Sequence, residues 1–108
     1  MAYDEGHAAL LRDDLSGHDP EEKRMFGGLC FMLRGNMVCG VHKNGGLFRV
    51  GKPHMDRALA LPGVGYMEMT GRRMGAFVDA SAEAVEDDAT RAALMQLALD
   101  FNASLPAK

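Results

Sequence analysis

A chain of 108 residues, 47% hydrophobic and 25% charged, is long enough to bury a core as one domain, 1–108, without disulfide support. Its opening, MAYDEGHAALLRDD, lacks the basic and apolar segments of a secretory signal, and the longest apolar run, 29–33, is far too short to span a membrane. The net charge of −3 hides an asymmetry, with −6 over residues 1–22, +7 over 23–73 and −4 over 74–108. A basic middle between acidic ends points to an anionic partner, or to acidic termini that fold back and neutralise it. The two cysteines, in a chain without a signal, are expected to be reduced thiols in the cytoplasm.

In chain order, residues 4–15 predict a helix with Ala8, Leu11 and Leu15 on one face. Ser16-Gly17-His18-Asp19-Pro20 breaks it, and residues 21–24 lead into the stretch KRMFGGLCFMLRGNMVCGVHKNGG. Within that stretch, Gly35-Asn36 and Asn44-Gly45 read as two-residue hairpin loops that accept positive φ. They predict a three-stranded antiparallel meander, 29–34, 37–43 and 46–50, with Phe31 opposite Gly40 and Val41 opposite both Cys30 and Phe48. Alternation then sorts the side chains. One face, expected to be the core, carries Cys30, Met32, Cys39, Val41, Phe48 and Val50. The other carries Leu29, Phe31, Leu33, Val38, His42, Leu47 and Arg49. Pro53 suits the first turn of a short helix ending near Leu61, before Pro62-Gly63. Residues 66–70 and 76–80 predict two further strands joined by a turn at Gly71-Arg72-Arg73. From Asp87 or Asp88, either a good N-cap, a final helix runs to about Ala103, with Leu94, Leu97 and Phe101 on its buried side. The fold class is α+β, an antiparallel sheet meander with flanking helices.

The residues that invite chemistry do not converge on it. Cys30, Cys39 and His42 are plausible metal ligands, but the predicted register sends His42 to the face opposite both thiols, and a tetrahedral site needs convergent ligands. The two cysteines fall diagonally on one face and read as small buried hydrophobes. Met25-Phe26-Gly27-Gly28 precedes a strand, whereas phosphate-binding glycine loops follow a strand and open a helix. His7, His18, His42 and His54 fall on separate elements, and no nucleophile signature accompanies them. Nine methionines fit adaptable packing better than a cofactor box. The expectation is no enzyme, no catalytic or metal-binding residues and no cofactor.

Several segments carry a family likeness: Met25-Phe26-Gly27-Gly28-Leu29, Gly35-Asn36-Met37, Arg49-Val50-Gly51, Ala60-Leu61-Pro62, Thr70-Gly71-Arg72 with Met74, and Phe101 followed by Ser104-Leu105-Pro106. The chain resembles the N-terminal domain of TfoX/Sxy proteins over nearly its whole length. The resemblance implies an antiparallel sheet with flanking helices and brings no catalytic residues. It also implies a role in transcription or competence regulation, alongside a DNA-bound regulator such as the cyclic-AMP receptor protein. Arg73 stands where many relatives have Pro, the final helix has no Trp, and no second domain follows. A stand-alone regulatory domain is therefore expected.

Two surfaces are expected to carry that role. Phe31, Val38 and Leu47, on the mixed sheet face, are the expected protein interface, for a homodimer or for a DNA-bound transcription regulator. The alternative is direct electrostatic contact with DNA through Lys43, Arg49, Arg72 and Arg73, the last two forming a wing at a hairpin tip. A third reading keeps a small enzyme or ligand-binding protein open. No membrane partner is expected.

Overall fold

Asp4 opens the first helix, α1 (Glu5–Asp14), by accepting the backbone N–H groups of His7 and Gly6 at 3.1 and 2.7 Å. The computed structural model that shows this describes residues 3–25, 27–69 and 71–107. After α1 come four strands, β1 (Glu21–Met25), β2 (Gly28–Leu33), β3 (Asn36–His42) and β4 (Gly45–Arg49). A 3-10 turn (Lys52–His54) leads into α2 (Met55–Leu59), then β5 (Val64–Met69), β6 (Arg72–Ser81), α3 (Ala82–Glu86) and α4 (Asp88–Ser104). The strands form one antiparallel sheet in the order β1-β2-β3-β4-β6-β5. This is the α+β meander with flanking helices that the sequence predicts, extended at each end of the meander. The class holds, while β1 and α3 are additions: β1 is charged at four of its five positions and shows no apolar alternation, and α3 has only five residues.

All four helices pack on one side of the sheet. Ala8 and Leu11 of α1, Ala58 of α2, Ala84 and Val85 of α3, and Leu94, Met95 and Ala98 of α4 share a core with residues of β2, β3, β4 and β6. Ala8, Leu11 and Leu15 are fully buried as predicted. The buried stripe of α4 is rotated from the predicted one: Arg91, Leu94, Met95, Ala98 and Asn102 face inward, with Leu97 and Phe101 half-buried. Arg91 ties the helices together. Its Nε donates to Asp14 at 2.7 Å, its Nη2 to Asp88 at 3.0 Å and its Nη1 to the Val85 carbonyl at 2.8 Å. Burial opposes the Arg91 charge, but the two carboxylates outweigh it and hold its pKa above the ordinary value.

Both hairpin loops sit one residue earlier than predicted. The first is Arg34-Gly35, both with positive φ (57° and 81°), the signature of a type I′ turn. The second is Lys43-Asn44. In addition β3 carries a bulge at Val38, between the pairs Phe31–Cys39 and Met32–Met37. The second hairpin shifts by an even number of residues, so Cys39, Val41, Phe48 and Val50 still face the core. Beyond the bulge, the first shifts by one, which turns over every side chain of β2. Leu29, Phe31 and Leu33 therefore face the helices, and the bulged Val38 joins them in the core. Cys30 and Met32, predicted to be core, lie on the opposite face. Cys30 faces Gly40, where an added Cβ would lie 2.9 Å from the Leu29 carbonyl oxygen and 3.2 Å from Cys30 Sγ, so the missing side chain admits the neighbouring backbone and the thiol rather than the Phe31 ring.

The chain end is bolted to the first hairpin. Arg34 donates to the carbonyls of Asn102 and Leu105, Asn36 Nδ2 to that of Pro106 at 3.0 Å, and Asn102 Nδ2 to that of Leu33 at 3.3 Å. A cation over the last carbonyls of α4 also complements the helix dipole.

Candidate interaction surfaces

The side of the sheet away from the helices carries its own apolar cluster. Cys30, Met37 and Leu47 are buried there, and Met25, Met32, Met67 and Phe77 pack half-buried around them. These seven residues come from all six strands and from no helix. Side chains of both edge strands, Met25 from β1 and Met67 from β5, pack against the cluster. The sheet is irregular at two places, the bulge at Val38 and the pairing of β5 with β6 between Tyr66 and Glu68. This surface is rich in thioethers, and long unbranched thioethers adapt readily to a facing surface.

Polar groups border this face. His42 Nε2 bonds Asp79 Oδ1 at 2.6 Å, and His42 Nδ1 accepts the Asn44 N–H at 3.1 Å. Both ring nitrogens are thus engaged, Nε2 with β6 and Nδ1 within the second turn. Across the sheet, the Arg49 guanidinium lies 5.7 Å from the Phe77 ring and 5.5 Å from that of Phe101. Phe101 reaches this position because Gly51 has no side chain: a Cβ there would lie 2.2 Å from the ring.

The predicted site residues scatter over this frame. Phe31 and Val38 are fully buried in the helix-side core, which removes them from any surface. Leu47 lies on the helix-free face but is buried beneath its neighbours. Lys43 stands exposed on the second turn, beside the Ser81 end of β6, whereas Arg72 and Arg73 are exposed at its other end. Residues 72–80 of β6 run alongside only residues 64–69 of β5, so those ends lie on the order of 20 Å apart. The four predicted cations therefore do not form one patch. Arg49, Arg72 and Arg73 lie along the same half of β6, and Lys43 falls outside it. The sequence reading missed Met25, Met32, Met67 and Phe77 as surface and Lys52 beside the basic half of β6. The alternation of Met67 with Glu68 was the available signal for a two-faced strand.

The thiols do not form a pair. Cys39 is in the helix-side core and Cys30 on the other face, both free. His42, predicted to lie opposite both, shares the face of Cys30. Among the described residues no three His, Cys, Asp or Glu side chains are grouped to hold a metal ion. Burial pushes both thiols up, Cys39 the further.

Two clefts of about 320 and 300 Å³ lie beside α4. In the first, Ser81 and Asp87 are occupied as N-caps, accepting the N–H groups of Ala84 and Thr90. In the second, Arg34 is spent on the α4 carbonyls. Glu83 also lines the first cleft, and His18 and Asp19 the second.

Several pieces that carry the family likeness have structural employment: Asn36 at the chain end, Arg49 and Gly51 against Phe101. Residues 15–102 match the TfoX N-terminal domain family, nearly the whole chain. This protein belongs to that family. No curated protein and no solved structure matches it. Phe26 and Thr70, which carry part of the likeness, lie outside the described residues. Among the described residues no helix is long and apolar enough to cross a membrane.

Proposed function

We propose that this chain is a non-enzymatic regulatory module that works by protein contact, using the helix-free face of its sheet. The observation that supports this is the half-buried ring of Met25, Met32, Met67 and Phe77, an apolar surface on the side of the sheet that no helix packs against. Family membership favours regulation, and the partner is either a DNA-bound transcription regulator or a second copy of the chain.

Sedimentation of the protein alone, and its addition to cyclic-AMP receptor protein on promoter DNA followed by fluorescence anisotropy, test this. Wild type is expected to associate in one of the two assays, and Met32→Lys with Met67→Lys to abolish that association while the protein still folds, at a modestly lower melting temperature. Association that survives both lysines, or none in either assay, would overturn the proposal.

A further inference from the structure

We infer that one half of β6, with the loop laid beside it, binds the phosphate backbone of duplex nucleic acid. The inference stands independently of the protein-contact reading. The Gly51 N–H donates to the Ala76 carbonyl at 3.0 Å, which draws the chain after β4 along β6. Lys52 thereby comes beside Gly75, where an added Cβ would lie 3.8 Å from its Cε. Arg49 is paired opposite Phe77, and Arg73 and Arg72 complete the strand. Four cations are thus gathered along residues 72–77 of one strand, where β6 sets three extra residues against the Tyr66–Glu68 part of β5 and is shorter end to end than a regular strand.

These cations are not neutralised within the fold. Among the described residues Arg12 and Arg91 hold carboxylates, whereas Arg49, Lys52, Arg72 and Arg73 hold none within 4.0 Å. The one acid in register is Glu68, opposite Arg73. Two of the guanidinium groups are positioned by aromatic rings: Arg49 between Phe77 and Phe101, and Arg73 at 4.0 Å over Tyr66, an exposed ring. A ring occupies the flat face of a guanidinium and leaves the in-plane N–H donors at its edge for phosphate oxygens. The opposite end of β6 leads into Glu83, Glu86, Asp87 and Asp88. This separation lets a chain of net charge −3 present a cationic end to a polyanion. With no helix offered to a groove, the contact is independent of base sequence.

Anisotropy of a labelled 20-base-pair duplex, titrated with the full chain from 25 to 200 mM salt, tests the inference. Binding at low salt is expected, and Arg72→Ala with Arg73→Ala should lower the slope of log affinity against log salt by about two. Lys43→Ala, at the far end, should leave affinity unchanged, and Glu68→Gln should raise it. Melting curves confirm that each variant is folded, since all four positions are exposed. No binding at 25 mM salt overturns the inference, as does Lys43→Ala weakening it as much as the double variant. Tighter binding to phosphatidylglycerol vesicles than to the duplex also overturns it, in favour of a membrane.

Discussion

Gly51 shows how a single missing side chain arranges a surface. Its φ of 83° suits glycine, and the space its Cβ would fill is taken by the Phe101 ring. Gly27 has a similar φ of 73° but nothing within 4 Å of the added atom. Gly27→Ala should therefore cost only the backbone term, about 1 kcal/mol. Gly51→Ala adds the displacement of Phe101 and should cost at least about 1 kcal/mol more; urea denaturation of the two variants measures the difference. Equal costs would mean that the ring moves aside freely. The thiols give a second test at this scale. Because burial raises both, neither is a thiolate near neutral pH, and native protein should give no fast reaction with Ellman's reagent. Two thiols should react at once in denaturant, and a fast native thiol would contradict the placement of Cys30 under Met25 and Met32.

At the scale of elements, the sequence was readable wherever one local rule decided the outcome. The apolar spacing of Ala8, Leu11 and Leu15 fixes the inward face of α1, and Asp87 caps α4 by accepting the Thr90 N–H at 2.8 Å. The face of β2 was not readable, because it depends on a turn displaced by one residue and on a bulge at Val38, and neither has a composition cue. The methionine-rich face followed that error: with β2 inverted, Phe31 stood for a surface that Met32 occupies. Substitution separates the two registers. Phe31→Glu puts a charge into a fully buried site and should prevent folding, since even Phe→Ala at such a site costs about 3–5 kcal/mol. Met32→Glu, half-buried on the helix-free face, should fold with a modestly lower melting temperature. The opposite outcome would restore the sequence-derived register. The helix caps add a pH dependence. Asp87 is held below the usual carboxylate range by the Thr90 N–H, and Asp4 by those of His7 and Gly6. Glu22 is held low by the Arg12 guanidinium at 2.6 Å. A depressed folded pKa gives stability that is complete above the unfolded values, near 4, and is lost as pH falls through the folded ones. Melting temperature should accordingly drop below about pH 5. Asp87→Asn, which keeps a capping oxygen without the charge, should flatten that drop while changing little at pH 7.

For the whole molecule, packing and charge divide the fold in the same direction. Strands β2, β3, β4 and the Val78–Ala80 part of β6 lie under α1, α3 and α4 and contain the fully buried Phe31, Val41, Phe48 and Val78. The other end of β6 is different: Arg72, Arg73 and Gly75 are exposed, and Ala76 takes a φ of 82°, a left-handed conformation costly for a residue with a Cβ. The pairing of β5 with β6 is interrupted between Tyr66 and Glu68 at the same place. Few buried contacts and a broken ladder lower the free energy of local opening. The β5–β6 hairpin end should therefore exchange its amide hydrogens by local opening well before the rest of the sheet. Hydrogen exchange followed by mass spectrometry should show fast exchange in peptides covering 66–75, with 38–50 and 91–102 exchanging slowest. Uniformly slow exchange across 66–75 would mean that the hairpin end is as rigid as the core, and that Ala76 is held by contacts stronger than the strand pairing suggests. If the fast exchange holds, the cations of this hairpin are carried on a segment that opens without unfolding the sheet, so a bound polyanion would have to order it and should slow its exchange alone.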